Sequence, residues 1–153
     1  MTDVHTYEAV AHWEGSTAAG YESYSRAHEV TCPPAGAALA LSGDPAFRGD
    51  AARLNPEQLL LAAASSCQLL SFLAVAARAR VEVVGYDDRA SARMPEADKP
   101  VRITEITLRP VMTVRGEASD DRLRHLVEVA HRECFIANSV SSRITIEPVF
   151  RRV

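Results

Sequence analysis

Alternation of apolar and polar positions predicts two strands near the N-terminus. Residues 5–13 alternate around Tyr7 and Val10, and residues 21–31 alternate again after a glycine-bearing turn at 15–20. Pro33 and Pro34 end the second strand, because proline has no N–H to donate to a sheet. Residues 37–41 predict a short third strand. Residues 42–54 are dense in Gly, Pro and Asp and predict a loop.

A long apolar segment after this loop predicts the main helix. Asn55 is a favourable N-cap, and Pro56 occupies the first helical position. Residues 57–80 contain neither Gly nor Pro, so the helix extends for about 36 Å if it is unbroken. It is apolar on most faces, so we expect it to be buried against more than one neighbour. The small residues at 62–66 would let another helix approach closely.

The second half of the chain predicts strands, a helix and a strand. Residues 81–92 and 101–114 form a predicted strand pair joined by a polar turn at 94–100. A second helix begins at Ser119 and runs to about residue 131, and residues 143–151 alternate as a last strand. This order is typical of an α+β fold. With no repeat or linker, residues 1–153 are predicted to form a single domain with a substantial core.

Composition narrows the classes of function. The net charge of −3 argues against a nucleic-acid partner, which usually requires a basic excess. We find neither a signal-peptide pattern nor an uninterrupted apolar run long enough for a membrane span, so a cytoplasmic protein is expected. His131 and Cys134 form one H-x-x-C pair without a matching second pair. We therefore expect no metal and no cofactor.

Three cysteines in a cytoplasmic protein raise the question of thiol reactivity rather than of structural disulfides. Cys67 lies midway along the main helix, and Cys134 lies at the end of the second helix. This arrangement suits a pair in which one thiolate reacts with a peroxide and the other captures the sulfenic acid as a disulfide. The alternative is a cysteine that packs as a small apolar residue, which is the commoner use of buried cysteine. Cys32, before two prolines, is interpreted as a bystander.

A reactive thiolate needs nearby positive charge. Arg48 in the predicted loop and Arg26 in the second strand are candidates, and Glu57 opens the main helix as a candidate acid. The alternative for each is a solvated surface charge, which is the commoner case, and an acid in a first turn also favours the helix dipole.

Two segments together carry a family resemblance. NPEQLL at 55–60, followed by Cys67, and AHREC at 130–134, followed by Asn138 and Ser139, resemble the signature of the OsmC/Ohr family. These are the osmotically induced and organic hydroperoxide resistance proteins. AHWEG at 11–15 is similar to the family's opening strand and turn, so the resemblance extends over the chain. It implies an OsmC-like fold, with antiparallel sheets wrapped around two central helices, in an antioxidant stress-response protein.

The resemblance also implies residue roles. Cys67 matches the peroxidatic cysteine of a thiol-dependent peroxidase, Cys134 the resolving cysteine, and Glu57 the acid that pairs with a catalytic arginine. Arg48 lies where OsmC-like members carry that arginine, and Arg26 lies nearer the region that Ohr-like members use; Arg48 is favoured. The implied reaction reduces alkyl or lipid hydroperoxides through a Cys67 sulfenic acid and a Cys67–Cys134 disulfide. An external dithiol, of the lipoyl type, then reduces the disulfide.

Two departures from the family pattern follow the second cysteine. Phe135 stands where many members have proline, and Asn138 and Ser139 stand in reversed order. They leave open an alternative function, a non-enzymatic redox-responsive or small-molecule-binding protein on the same scaffold.

The spacing of Glu57 and Cys67 predicts a dimer. Ten residues on one helix separate two side chains by about 15 Å along the axis, too far for a carboxylate to act beside a thiolate. No interior Pro or Gly supports a kink. Two antiparallel helices about a twofold axis would instead bring Glu57 of one protomer to Cys67 of its partner. We therefore predict an intertwined homodimer with two composite sites, as the resemblance also implies.

Overall fold

The computed structural model describes residues 3–153, which divide into two compact units. The N-terminal unit ends at Leu59, and the C-terminal unit is Leu60–Val153. The elements in chain order are β1 Val10–His12, β2 His28–Thr31, β3 Ala38–Leu41, a 3-10 turn Pro45–Phe47, α1 Pro56–Arg78, β4 Glu82–Asp88, β5 Ser91–Arg93, β6 Glu105–Leu108, β7 Pro110–Arg115, α2 Asp120–Glu133, β8 Arg143–Ile146 and β9 Val149–Arg152. The predicted α+β class is confirmed.

The N-terminal unit contains one antiparallel sheet, in the order β1, β2, β3. Its first two strands are shorter than the alternation predicts, and in the second of them residues 21–24 form turns instead of a strand. In this segment side chains, and not a neighbouring strand, donate hydrogen bonds to the backbone carbonyl oxygens. The Arg26 guanidinium donates to the carbonyl oxygens of Tyr21 and Tyr24, and the Trp13 indole donates to that of Ser25. Side-chain hydrogen bonds to the backbone compete in this way with sheet formation.

The C-terminal unit contains two sheets, in the orders β4-β7-β9 and β5-β6-β8. The pairs β4/β7 and β5/β6 are antiparallel, as predicted, while β6/β8 and β7/β9 are parallel, so both sheets are mixed. Each of the three long predicted strands is divided in two. At one break Asp88 Oδ1 accepts a hydrogen bond of 2.7 Å from the backbone N–H of Arg109, and at another Pro148 has no N–H to donate.

Both helices begin at the predicted caps. Asn55 and Gln58 form a reciprocal capping box, in which the Gln58 N–H donates to Asn55 Oδ1 at 2.8 Å and the Asn55 N–H donates to Gln58 Oε1 at 3.0 Å. Ser119 Oγ caps α2 by accepting from the backbone N–H of Arg122. Helix α1 is unbroken over 23 residues, so the predicted continuous helix is confirmed.

The core of the C-terminal unit consists of two apolar clusters. The larger joins α1, α2 and the sheet that contains β7, and its buried residues include Phe72, Met112 and Leu123. The smaller packs Ala64 of α1 against the sheet that contains β6, with Ile106 fully buried. Helix α1 contributes to both clusters, which fixes the position of the residues midway along it.

Part of the apolar surface of α1 is nevertheless exposed. The helix is long and apolar enough, with a hydropathy of 2.0, to cross a membrane by length and composition, but only 28% of that apolar stretch is buried. Its buried face follows the helical repeat through Ala64, Gln68 and Phe72, whereas Leu70 is 64% exposed. The predicted absence of a membrane span therefore stays a prediction, and the exposed face requires an explanation.

Candidate active site

Helix α1 and the end of α2 bring Cys67 and Cys134 together. Cys67 lies midway along α1 and is half-buried, while Cys134 is the C-cap of α2 and is 1% exposed. The Cys134 thiol hydrogen-bonds to the Cys67 sulfur, and both cysteines are free thiols. Two residues that lie 67 positions apart in the sequence thus meet in the fold.

The loop after α2 directs backbone donors at both sulfurs. The Ile136 N–H donates to Cys67 Sγ at 3.5 Å, and the Ala137 N–H donates to Cys134 Sγ at 3.4 Å. The Asn138 side-chain amide holds the loop by donating to the Cys134 carbonyl oxygen at 2.9 Å. Successive N–H groups in a turn form a concave site that favours negative charge. The loop therefore suits a thiolate.

These donors set the ionisation of Cys67. Burial raises the pKa of its thiol, but hydrogen bonds from the Ile136 N–H, the Cys134 thiol, the Phe135 N–H and the Ser71 hydroxyl outweigh burial. The net result is a pKa below the ordinary value for cysteine, because hydrogen bonds to the charged form favour that form.

Cys134 is shifted in the opposite direction. Burial raises its pKa, and the hydrogen bond and negative charge of Cys67 raise it further, to about 11. The more accessible sulfur therefore loses its proton first, and the buried sulfur keeps its proton until a later step. A nucleophile beside a protonated thiol is the arrangement that a two-cysteine redox cycle requires.

The Cys67 sulfur opens into a cavity of about 520 Å³ in the C-terminal unit. Leu70, Ala74 and Phe135 supply apolar lining beside it. Arg132 and an ion pair between Arg78 and Glu133 lie on the same cavity. The cavity therefore offers an apolar surface beside the Cys67 sulfur together with charged groups.

The other predicted site residues lie before Leu60. Arg26 donates to the carbonyl oxygens of Tyr24 and Tyr21, each at 2.6 Å, while Arg48 forms an exposed ion pair with Glu22 at 2.5 Å. The two arginines line one cavity of about 370 Å³.

Glu57 occupies the first turn of α1, and its Oε2 is buried without a hydrogen-bond partner among the described residues. The catalytic roles of Glu57, Arg26 and Arg48 remain predictions.

Sequence reasoning missed the groups that lower the pKa of Cys67. Three are backbone or small side-chain donors, from Phe135, Ile136 and Ser71, and no arginine is among the main causes. Backbone N–H groups carry no residue-type signal. The only sequence sign was the polar break around Asn138 and Ser139 after the second helix. Within residues 3–153, no three His, Cys, Asp or Glu side chains are placed to hold a metal ion.

Comparison with known proteins places this geometry in a family. The family model described as OsmC-like protein matches residues 49–149. An OsmC-like protein of unknown function from Vibrio cholerae is similar in structure, with a TM-score of 0.85 and 29% identity, covering 95% of this chain and 100% of that chain. No curated protein matches this chain significantly in sequence.

Two structures of organic hydroperoxide resistance proteins share the fold at lower identity. The protein from Elizabethkingia anophelis, solved with bound thiocyanate, has a TM-score of 0.73 and 17% identity, and the match covers 100% of both chains. The protein from Bacillus subtilis has a TM-score of 0.63 and 19% identity, covering 96% of this chain and 98% of that one. Because the family model spans more than half of the sequence and the fold agrees throughout, this chain belongs to the OsmC-like protein family.

Proposed function

We propose that this protein is a thiol-dependent peroxidase that reduces organic hydroperoxides. The observation that carries the proposal is the hydrogen-bonded cysteine pair, in which the pKa of Cys67 is lowered and that of Cys134 is raised to about 11. The lowered pKa supplies a nucleophile at an accessible position, and the raised pKa keeps the second sulfur protonated beside it. Names of relatives that refer to hydroperoxide resistance point the same way.

The proposed reaction has two chemical steps. The Cys67 thiolate attacks the distal oxygen of the hydroperoxide, the O–O bond breaks, and the alkoxide takes a proton and leaves as an alcohol. Cys67 is then a sulfenic acid. The Cys134 sulfur attacks that sulfenic sulfur, its proton leaves with the hydroxyl group as water, and a Cys67–Cys134 disulfide forms. An external dithiol, of the lipoyl type in our proposal, reduces the disulfide and is itself oxidised.

The lining of the Cys67 cavity supports a preference for apolar substrates. Leu70, Ala74 and Phe135 present hydrocarbon surface beside the sulfur. An alkyl or lipid hydroperoxide removes this surface from water on binding, whereas hydrogen peroxide has no apolar part to bury. Alkyl and lipid hydroperoxides are therefore the proposed substrates.

A guanidinium would complete the site, and we assign that role to Arg48 in preference to Arg26. Arg48 can leave its exposed ion pair with Glu22 at little cost in free energy, because such surface pairs contribute only about 0–1 kcal/mol to stability. Arg26 is instead held by two carbonyl oxygens and two tyrosine rings. The partnerless Oε2 of Glu57 offers an acceptor for the arginine.

We propose that the site is completed in an intertwined homodimer. Helix α1 is unbroken, so Glu57 and Cys67 of one protomer lie about 15 Å apart along its axis. Helix α1 exposes apolar residues that include Leu70 and Leu73, and a second copy of α1 would bury them. Ala62→Arg on the exposed face of α1 should then yield monomers with little peroxidase activity. The control Val84→Arg, on an exposed strand position, should stay dimeric.

The single domain, the cytoplasmic location and the lack of metal, cofactor, nucleic-acid and membrane partners remain predictions. None of them is required by the chemistry above, which needs only the two cysteines, a hydroperoxide and a dithiol.

Turnover tests the proposal. Reduced protein is mixed with excess cumene hydroperoxide and dihydrolipoamide, and peroxide loss is compared with that for hydrogen peroxide. We expect many peroxide molecules consumed per protein, none by Cys67→Ser, and over-oxidation of Cys67 in Cys134→Ser. Consumption of a single equivalent without turnover would instead favour the non-enzymatic redox-responsive or ligand-binding alternative.

A further inference from the structure

One face of helix α1 lies against strand β4 inside the C-terminal unit. Ser65, Gln68 and Phe72 recur at the i, i+3, i+7 spacing of a single helix face. The Ser65 hydroxyl donates to Asp88 Oδ2 at 2.5 Å. The ring of Phe72 lies 6.2 Å from that of Tyr86, measured between centroids. Because Gln68 lies between these two contacts, it faces the same segment of β4.

Tyr86 faces the interior from β4. It pairs in register with Met112 of β7, and residues that oppose each other in a sheet share a face. Met112 is fully buried, so Tyr86 also points toward the core, on the same side of the strand as Asp88 two residues later. The Tyr86 hydroxyl and the Gln68 amide therefore lie in one buried region between α1 and β4.

The polar atoms of this region are unsatisfied. Gln68 is fully buried, and neither its Nε2 nor its Oε1 has a hydrogen-bond partner among the described residues. The Tyr86 hydroxyl is buried without a partner there as well. Such groups lower the stability of a fold, so they call for a role other than stability. Neither residue takes part in the reaction proposed above.

Cys134 borders this region. Its thiol donates to Cys67, the residue before Gln68 on α1. Ala130, one helical turn before Cys134, belongs to the apolar cluster against which Tyr86 packs. Burial raises the pKa of Tyr86, and the negative charges of a nearby carboxylate and of Cys134 raise it further. Tyr86 therefore keeps its proton and is a hydrogen-bond donor within electrostatic reach of the Cys134 sulfur.

We propose that the Tyr86 hydroxyl donates a hydrogen bond to the Cys134 sulfur as that sulfur attacks Cys67 to form the disulfide. Gln68 is a positioning residue, whose amide donates to the hydroxyl oxygen of Tyr86 and so orients its O–H. In the reduced protein Cys134 is protonated, so the donor is unused. During the attack the Cys134 proton leaves with the sulfenic hydroxyl group as water, and Tyr86 keeps its own proton. This role rests on the proposed two-cysteine reaction and concerns only its second step.

A mixed disulfide tests the role without peroxide. In Cys32→Ala protein, one equivalent of dithiobis(nitrobenzoate) converts Cys67 to its mixed disulfide. The Cys134 sulfur then attacks Cys67, the bond to nitrothiobenzoate breaks, and the absorbance of the released thiolate gives the rate. Tyr86→Phe should slow this release about tenfold, the effect of losing one hydrogen bond to a charged group. Tyr7→Phe removes an exposed hydroxyl as the matched control and should release at the wild-type rate.

Stability separates this role from a structural one. Because the Tyr86 hydroxyl has no partner in the reduced protein, Tyr86→Phe should unfold at the wild-type temperature or above it. Wild-type release by Tyr86→Phe, or slow release with a Tm several degrees lower, would overturn the proposal. Gln68→Met should slow release when Tyr86 is present but not in the Tyr86→Phe background. Equal slowing in both backgrounds would overturn the positioning role of Gln68.

Peroxide separates the failure of this proposal from the failure of the proposed function. After one equivalent of cumene hydroperoxide, Tyr86→Phe should lose the Cys67 thiol at the wild-type rate but form the disulfide with Cys134 more slowly. The sulfenic acid should then accumulate and be trapped by dimedone. A Tyr86 effect on the mixed disulfide in a protein that consumes no peroxide would support the hydrogen bond and refute the peroxidase. Peroxide turnover without that effect would refute the role of Tyr86 alone.

Discussion

Removing the Cys134 thiol should raise the pKa of Cys67. In the structure that thiol donates to the Cys67 sulfur and is one of the main groups that favour its thiolate. Cys134→Ala deletes the donor while leaving the Ile136 and Phe135 N–H groups in place. The thiolate then loses one of its hydrogen bonds, so its proton is held more tightly.

The size of the effect follows from the energy of one hydrogen bond to a charged group. Such a bond contributes about 1.5–3 kcal/mol, and the half-buried position of Cys67 favours the lower end. One pKa unit corresponds to about 1.36 kcal/mol, so the pKa of Cys67 should rise by about one unit. At a pH below both values, the thiolate fraction then falls about tenfold.

The assay is the rate of alkylation by iodoacetamide as a function of pH, since only the thiolate reacts. Both proteins carry Cys32→Ala, which removes the exposed third thiol. The midpoint of the rate profile gives the pKa of Cys67. Thermal unfolding confirms that the alanine variant is folded at the pH values used.

Cys134→Ser is the matched control, because a hydroxyl keeps an O–H donor at the same place. We expect the pKa of Cys67 to increase in the order wild type, Cys134→Ser, Cys134→Ala. An unchanged or lower pKa in Cys134→Ala would show that the thiol does not stabilise the Cys67 thiolate, and the reasoning from its hydrogen bonds would fail.

Four further predictions concern the ionisation of the second thiol and the stability of the fold. In Cys67→Ala, the pKa of Cys134 should fall from about 11 but stay above its ordinary value, because the thiol is still buried. Thiolate absorbance measured against pH gives this pKa. A pKa that does not fall would show that Cys67 does not influence Cys134. The pKa of Cys134 is higher in the folded protein than in the unfolded chain, so this thiol stabilises the fold at a pH below its unfolded-state pKa. In the wild type this stabilisation should be lost as the pH rises through about 11. Phe72→Ala, at a fully buried position, should lower the unfolding free energy in urea by about 3–5 kcal/mol, and a loss below about 1 kcal/mol would contradict the packing described. Gly49→Ala should lower Tm by several degrees because its Cβ would lie 1.6 Å from the Gly43 carbonyl oxygen, whereas Gly43→Ala, with its nearest neighbour at 3.9 Å, should leave Tm almost unchanged.

The helices could be predicted from the sequence because their signals are local. Asn55 with Gln58, and Ser119 before two acidic residues, mark helix starts through contacts within one turn. The continuity of α1 follows equally locally from the absence of Gly and Pro. These features need no knowledge of the rest of the chain.

The strands were predicted in the right regions but with wrong bounds. Alternation indicates an extended segment, but it does not show where the segment is interrupted. The Arg109 N–H donates to the Asp88 carboxylate, and these two residues lie at the breaks between β6 and β7 and between β4 and β5. Near the N-terminus, alternation over residues 21–31 is overridden by the hydrogen bonds of Arg26 to two backbone carbonyls. Both contacts are decided by tertiary structure.

The candidate site was predictable only in its side chains. Cys67 and Cys134 could be singled out because sulfur chemistry depends on residue type. The N–H groups of Phe135 and Ile136 could not, since any residue supplies one. Gln68 illustrates the same limit: it is fully buried, and neither amide atom has a partner among the described residues, which nothing in the sequence indicated.

The most direct test of the central claim is the product of a single oxidation. Fully reduced protein receives one equivalent of cumene hydroperoxide, is digested without reductant, and the linked peptides are identified by mass spectrometry. The account predicts a peptide pair joined through Cys67 and Cys134, lighter by two hydrogens than the separate thiols. A Cys67 left unoxidised, oxidised to sulfinic acid with Cys134 still free, or joined instead to Cys32 would contradict it.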